Sequence, residues 1–183
     1  MIVNRRVALK QMLCISAGAV LIPSCMQDKS KSSILLKNLS ISGEQEKMLA
    51  ELSGTIIPAT ASPGAKEVYA HLFALKMLDD CFKKDDQQKF LSGMKQFEDD
   101  AKKKYSRSFA SCGQKERESF LNELEKQKGS KEDIHYFYST MKRLTIQGYT
   151  GSQYFLTKVQ VYELIPGRYH GCVPVSTNLQ KVS

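Results

Sequence analysis

The chain has no CxxC pair, no CxxCH, no glycine-rich GxGxxG turn and no phosphate-loop pattern. Each absence removes a chemistry. His71, His135 and His170 lie far apart in sequence, so without a cysteine pair no zinc-ligand spacing is present. Without CxxCH there is no usual attachment for a c-type haem. Without the glycine-rich turn nothing brings backbone amides against a dinucleotide pyrophosphate. No local motif sets a base beside a nucleophile, and His71 falls among apolar neighbours, the setting of a packed histidine rather than a catalytic one. The acidic pairs Asp85-Asp86 and Asp99-Asp100 are adjacent. On a helix such side chains diverge by about 100° instead of facing each other across a substrate, so they read as caps and solvated charge.

Also missing is any acidic residue between Met1 and Ser24. That segment instead carries Arg5 and Arg6, followed by the apolar run Leu13 to Ile22, which is the layout of a targeting peptide. The run is too short to span a bilayer comfortably as a permanent helix. Paired arginines ahead of a modest apolar run are the address of twin-arginine export, which carries folded cargo; a general secretory signal that happens to hold two arginines is the other reading. Leu21-Ile22-Pro23-Ser24-Cys25 resembles a bacterial lipobox, although Pro23 departs from the small residue usual there. Cys25 is the expected lipidation site, a plain thiol being the alternative. Residues 25–40, rich in Lys and Ser, read as a flexible lipidated tether. The expected location is the periplasm or cell envelope, membrane-anchored through lipid.

The formal charge of the chain is +8. Removing residues 1–24 takes Arg5, Arg6 and Lys10 with it and no acid, so the remaining surface is only mildly basic. Basic and acidic residues alternate, as in Lys95-Gln96-Phe97-Glu98-Asp99-Asp100-Ala101-Lys102-Lys103-Lys104, which suits a solvated helix face and excludes a nucleic-acid partner. Three cysteines, Cys81, Cys112 and Cys172, remain after Cys25 in a compartment where disulfides form. An odd number implies one pair with a spare thiol, or a bond to another chain.

Residues 41–183 read as one domain. Ser42-Gly43-Glu44-Gln45 has the form of a capping box. Met48, Leu49, Leu52 and Ile56 then follow helical spacing until Pro58 stops the helix, and Pro58 to Gly64 is a turn. A second helix is expected over 66–82 with Val68, Leu72, Leu75 and Leu78 inward. A third, capped by Asp85 or Asp86, is expected to run to Tyr105 with Phe90, Leu91, Met94, Phe97 and Ala101 inward. After a loop over 106–113, Phe120, Leu121 and Leu124 mark a short helix ending near Gly129. A fifth runs from Asp133, a cap, through Ile134, Phe137, Met141 and Leu144 to Gly148, placed as the closing residue. Beyond it, Gly151, Pro166, Gly167, Gly171 and Pro174 leave only a brief helical turn around 152–158. Tyr149, Tyr154, Phe155, Tyr162 and Tyr169 are too many aromatics for a solvated tail, which is expected to pack on the helices or a partner. The expected fold is all-α, a bundle-like domain of about five helices with a long irregular, aromatic-rich C-terminal segment.

Two segments carry a resemblance. Thr55-Ile56-Ile57-Pro58-Ala59-Thr60 with Pro63-Gly64-Ala65, and Gly148-Tyr149-Thr150 with Pro166-Gly167-Arg168-Tyr169-His170-Gly171-Cys172-Val173-Pro174, resemble the gluconate 2-dehydrogenase subunit 3 family. These are small subunits of membrane-associated, flavin-dependent sugar and polyol dehydrogenases. The likeness spans most of 40–175, and Arg5 and Arg6 fit it.

The resemblance implies a non-catalytic subunit, with no cofactor of its own, whose partner is a large flavoprotein of the glucose-methanol-choline type holding FAD. Electrons then pass to a cytochrome c subunit where one is present. It also implies that the small subunit lends its export signal to the large one. No catalytic residue is carried over. Pro58, Pro63 and Gly64 are turn formers or partner contacts, and Tyr149, Arg168 and Tyr169 are interface candidates. At His170 the sequence departs from the aspartate expected between tyrosine and glycine. Cys172 matches the pattern and is the candidate disulfide cysteine, paired with Cys81 or with the large subunit, a buried thiol being the alternative. The competing readings are a stand-alone cell-envelope lipoprotein that binds a ligand or another protein, and an enzyme with an unrecognised site.

Overall fold

The computed structural model describes residues 32–126, 132–160 and 167. Among them the chain forms α1 Gly43–Ile56, α2 Ala70–Cys81, α3 Lys84–Tyr105, α4 Gln114–Lys126 and α5 Glu132–Thr150, and no strand. A 3-10 turn, Phe109–Ser111, precedes α4, and a π-helical turn, Phe155–Val159, follows α5 where the brief helical turn was expected. The all-α expectation holds.

The capping box forms as its spacing dictates. The Gln45 amide donates to Ser42 Oγ at 3.2 Å, and the Ser42 amide donates to Gln45 Oε1 at 2.8 Å. Helix α1 buries Met48, Leu49 and Leu52, and ends where Pro58 has no N–H to continue the ladder. Buried Ser53 lies 3.3 Å from Thr145 Oγ1, a polar tie from α1 to α5.

Four helix boundaries differ from expectation. Helix α2 starts at Ala70 rather than Lys66, because Tyr69 takes the left-handed conformation (φ 57°) and the preceding residues form a turn closed by the Ala70 amide on the Ala65 carbonyl. Neither Asp85 nor Asp86 caps α3. The N-cap is Lys83, and both acids sit in the first turn, where they oppose the positive end of the helix dipole. Asp133 lies inside α5, accepting from Ser92 Oγ at 2.7 Å. Gly148 does not close α5, which continues to Thr150. A Cβ at Gly148 would stand 2.9 Å from Phe73 Cδ1, so glycine serves close packing of α5 on α2.

Helices α3 and α5 form the most extensive pair, with α2 packed on α5 and α1 laid across them. Phe97 is the hub of the core: its ring centroid lies 4.8 Å from Phe109, 5.1 Å from Phe120 and 5.2 Å from Phe137. These come from α3, the 3-10 turn, α4 and α5, so one side chain ties four elements. Buried Gln87 donates from Nε2 to the carbonyls of Leu78, Asp79 and Phe82, satisfying oxygens that α2 leaves open at its C-terminal end.

The expected tether gives way, from Ser32 on, to a strap fixed to the domain. Buried Asp79 accepts from the backbone amides of Lys37 (2.7 Å), Asn38 (2.7 Å) and Leu39 (2.9 Å). Asn38 Nδ2 returns a bond to the Asp79 carbonyl at 2.8 Å, and Ser33 donates twice to Glu46. Leu39 and Ile41 are buried, and Ile34 and Leu36 pack against the core. A string of lysines and serines predicts flexibility from composition alone; one buried carboxylate that takes three amides overrides it.

Candidate partner interface

At one end of the bundle the C-terminus of α1, the N-terminus of α2 and the C-terminus of α5 meet around the loop Pro58 to Ala65. The loop is closed by the Ala65 amide on the Ile57 carbonyl at 2.9 Å and by the Thr60 amide on the Ser62 carbonyl at 2.9 Å. Gly64 is buried inside it. A Cβ there would meet Ala59 N at 2.5 Å and the Ile57 carbonyl oxygen at 2.6 Å, so only glycine fits. Gly64 is therefore a turn former, while Pro58, Ala59, Thr60 and Ala61 form the exposed tip.

Tyr149 joins the two resembling segments. Its hydroxyl donates to the Pro63 carbonyl at 3.1 Å across 86 residues of sequence, and its ring stands edge-on to Phe155 at 5.8 Å. Tyr149 is thus a latch between α5 and the loop, and half-buried rather than presented outward. The apolar groups this end does present are Tyr69 (65% exposed), Ile146 (45%) and Val159 (48%). Ile146 is three residues before Tyr149 on the same helix, so the two are surface neighbours.

An ion triad supports the loop from beneath. Glu51 of α1 holds Lys66 at 2.6 Å through one carboxylate oxygen and Arg117 of α4 through the other. Burial would raise the Glu51 pKa, but Lys66 and Arg117 outweigh it and hold the carboxyl below its ordinary value. The sequence gives no local sign of this triad, because its members are 15 and 66 residues apart.

The remaining expectations fall elsewhere. Cys81 is exposed and Cys112 buried, both as free thiols. His71 is buried, its Nδ1 without a hydrogen-bond partner among the described residues; burial, aided by Lys66 and opposed by Glu46, pushes its pKa down. Arg5, Arg6, Cys25, Arg168, Tyr169, His170 and Cys172 lie outside the described residues. Among the described residues no helix is long and apolar enough to cross a membrane, and no group of three or more His, Cys, Asp or Glu is placed to hold a metal ion.

A half-open groove of about 640 Å³ lies away from this end, between the start of α1, the middle of α3 and the 3-10 turn. Met48 and Met94 contribute apolar surface, and Lys95, Glu98, Lys102 and Ser108 polar groups. Burial raises the Glu98 pKa, and the opposing Phe109 amide and Lys102 do not cancel it.

The family model described as gluconate 2-dehydrogenase subunit 3 matches residues 43–167. The chain belongs to this family. The gluconate 2-dehydrogenase subunit 3 match covers α1 through the π-helical turn, and therefore both sides of the Tyr149–Pro63 latch; it ends just before Arg168. By family the chain is a dehydrogenase small subunit, whose setting is a larger complex. No curated protein and no solved structure matches it.

Proposed function

We propose that the chain is the non-catalytic small subunit of an exported, FAD-dependent sugar or gluconate dehydrogenase of the glucose-methanol-choline type. It assists assembly of the catalytic subunit and carries it outward through the twin-arginine signal at Arg5 and Arg6, after which Cys25 anchors the pair to the membrane by lipid. The flavin belongs to the large subunit, because this chain lacks a dinucleotide-binding turn. A cytochrome c subunit is the natural electron acceptor of such a pair.

The observation that carries this reading is the bond from Tyr149 to the loop Pro58 to Ala65, which brings the described parts of the two family segments to one end of the bundle. Tyr149 bonds Pro63, the loop tip from Pro58 to Ala61 is exposed, and Tyr69 and Ile146 are unburied. Exposed tyrosine and aliphatic side chains on a rigid support are what a protein partner buries. Arg168 and Tyr169, interface candidates by sequence, lie outside the described residues.

The test is a pull-down of the tagged chain from its native cell envelope, with an absorption spectrum of the eluate. A stoichiometric large subunit with flavin bands is the expected result; a colourless, partner-free monomer would refute the reading. The 640 Å³ groove favours the second reading, a solitary envelope lipoprotein with its own ligand. A stable, monomeric mature chain together with that colourless eluate would support it.

A further inference from the structure

His71 stands in the first turn of α2, two residues after the left-handed Tyr69, and is 5% exposed. Its Nδ1 is enclosed and has no hydrogen-bond partner among the described residues. In a neutral imidazole one ring nitrogen donates and the other only accepts. An enclosed Nδ1 with nothing to donate to is the bare, accepting nitrogen, because a missing bond costs a neutral atom far less than a charged one. Protonation would set a charged N–H where nothing accepts it.

The surroundings do not compensate that charge. His71 lies at the positive end of the α2 dipole, which disfavours a cation. Lys66, in the turn before α2, opposes a second positive charge. Glu46 of α1 favours one, but its two carboxylate oxygens already accept from the Ser33 amide and the Ser33 hydroxyl, each at 2.6 Å. Further along α2, Lys76 pairs with Asp80, and Asp79 is taken by the strap. The exposed cations of α5 are engaged elsewhere, Lys142 with Glu125 and Arg143 over the Phe82 ring.

The start of α2 is also lightly held. It has no side-chain cap, and the turn before it is closed by the Tyr69 amide on the Lys66 carbonyl at 3.1 Å and the Ala70 amide on the Ala65 carbonyl at 2.9 Å. Tyr69 pays for its left-handed backbone in strain. Opening this one turn is the least disruptive way to bring water to the imidazole.

We propose that His71 is a pH gate on the start of α2: neutral, it keeps the preceding turn closed, and its protonation opens that turn and withdraws Tyr69 from the exposed end of the bundle. Burial and Lys66 hold its pKa below the ordinary value. The closed form is therefore complete above the unfolded histidine value near ~6.5, and opening grows as pH falls below it. The gate belongs to this chain alone; its effect on capture of the large subunit rests on the partner reading of that end.

The test follows the full chain, ring-labelled at histidine, by NMR and hydrogen exchange between about pH 7.5 and about pH 5. His71→Gln, which cannot titrate, is run beside it, and a chain carrying His135→Gln and His170→Gln leaves His71 as the single labelled ring. The ring is expected to stay neutral near pH ~6, where an ordinary histidine is mostly charged. Protection of amides 70–73, corrected for intrinsic exchange, should fall about tenfold by the acid end in the wild type and stay level in His71→Gln. An ordinary titration with protection unchanged, or an equal fall in His71→Gln, would overturn the gate. Capture of the large subunit is read at the same two pH values. A fall that His71→Gln abolishes supports gate and face together; an opened turn with capture unchanged keeps the gate and discards this end as the partner face.

Discussion

Replacing Asp79 with alanine is expected to release the strap without unfolding the bundle. The carboxylate is 1% exposed and accepts three backbone amides at 2.7, 2.7 and 2.9 Å. Charge-assisted bonds of this kind contribute about 1.5–3 kcal/mol each, and three of them sum to about 4.5–9 kcal/mol, most of the stability of a marginal domain. The loss is capped, because the strap can lift away and its amides can rehydrate. What remains is the lost packing of Ile34, Leu36, Leu39 and Ile41 together with part of the bonding, about 3–5 kcal/mol.

With a urea slope of about 2 kcal/mol per molar, the unfolding midpoint of the mature chain should fall by about 2 M. The amides of residues 37–39 should lose their protection from hydrogen exchange, while those of α3 and α5 keep theirs. Asp79→Asn, which retains one acceptor oxygen, should lose about half as much. The acid arm of the stability curve gives a second readout. Burial alone would raise the Asp79 pKa, but the amides of Lys37, Asn38 and Leu39, with Lys76, hold it below the ordinary value. Its contribution is therefore complete above the unfolded pKa near ~3.9 and declines as pH falls through the folded value. Asp79→Asn should flatten that decline. A midpoint unchanged to within about 0.25 M, with protection at 37–39 intact, would refute the reasoning.

Tyr149→Phe removes the bond to Pro63 while keeping the ring, and is expected to cost about 1 kcal/mol in urea unfolding and to lower capture of the large subunit; full capture would detach the latch from partner binding. Gly64→Ala forces a Cβ to within 2.5 Å of Ala59 N, so loop rearrangement, a loss of about 2–4 kcal/mol and failed capture should appear together in calorimetry and pull-down. Glu51→Gln leaves Arg117 and Lys66 without their carboxylate and should cost about 1–2 kcal/mol, moderated by partial hydration. Because the Glu51 pKa is lowered, that stabilisation is present above the ordinary glutamate range and lost on acidification through the folded value, which a pH series of melting temperatures reads. Nonreducing electrophoresis of the co-expressed pair should show a mobility shift that Cys172→Ser abolishes; Cys81→Ser then tells whether the bond is internal or between subunits.

Where the sequence was read correctly, the signal was local. The Ser42–Gln45 box and the stop before Pro58 depend on residues within a few positions, and each appears as read. The inward stripes Phe90, Met94, Phe97 and Ile134, Phe137, Met141, Leu144 depend only on helical period, and all of these residues are buried. Where it failed, a distant group decided. Gly148 looked like a helix end until Phe73 is seen against it, and Lys66 looked helical until the turn at Ala65 and the left-handed Tyr69 displaced the start of α2. The interface candidates divide in the same way: the turn role of Gly64 is implicit in the Pro63-Gly64 pair, but nothing near Tyr149 indicates that its hydroxyl ends on Pro63.

The sequence by itself determined the helical class, the order of helices, the inward stripes of α1, α3, α4 and α5 and membership of the subunit family, because periodicity, capping and motif order are properties of neighbours along the chain; Val68 and Leu72, expected inward, are only partly buried and stay outside the core. Tertiary structure alone decided that Ser32 to Ser40 is a strap, that Glu51 binds both Lys66 and Arg117, and that Tyr149 latches α5 to the loop at Pro63. Those outcomes rest on hydrogen bonds and ion pairs between residues 15 to 86 positions apart, whose energies exist only once the core has brought the helices together.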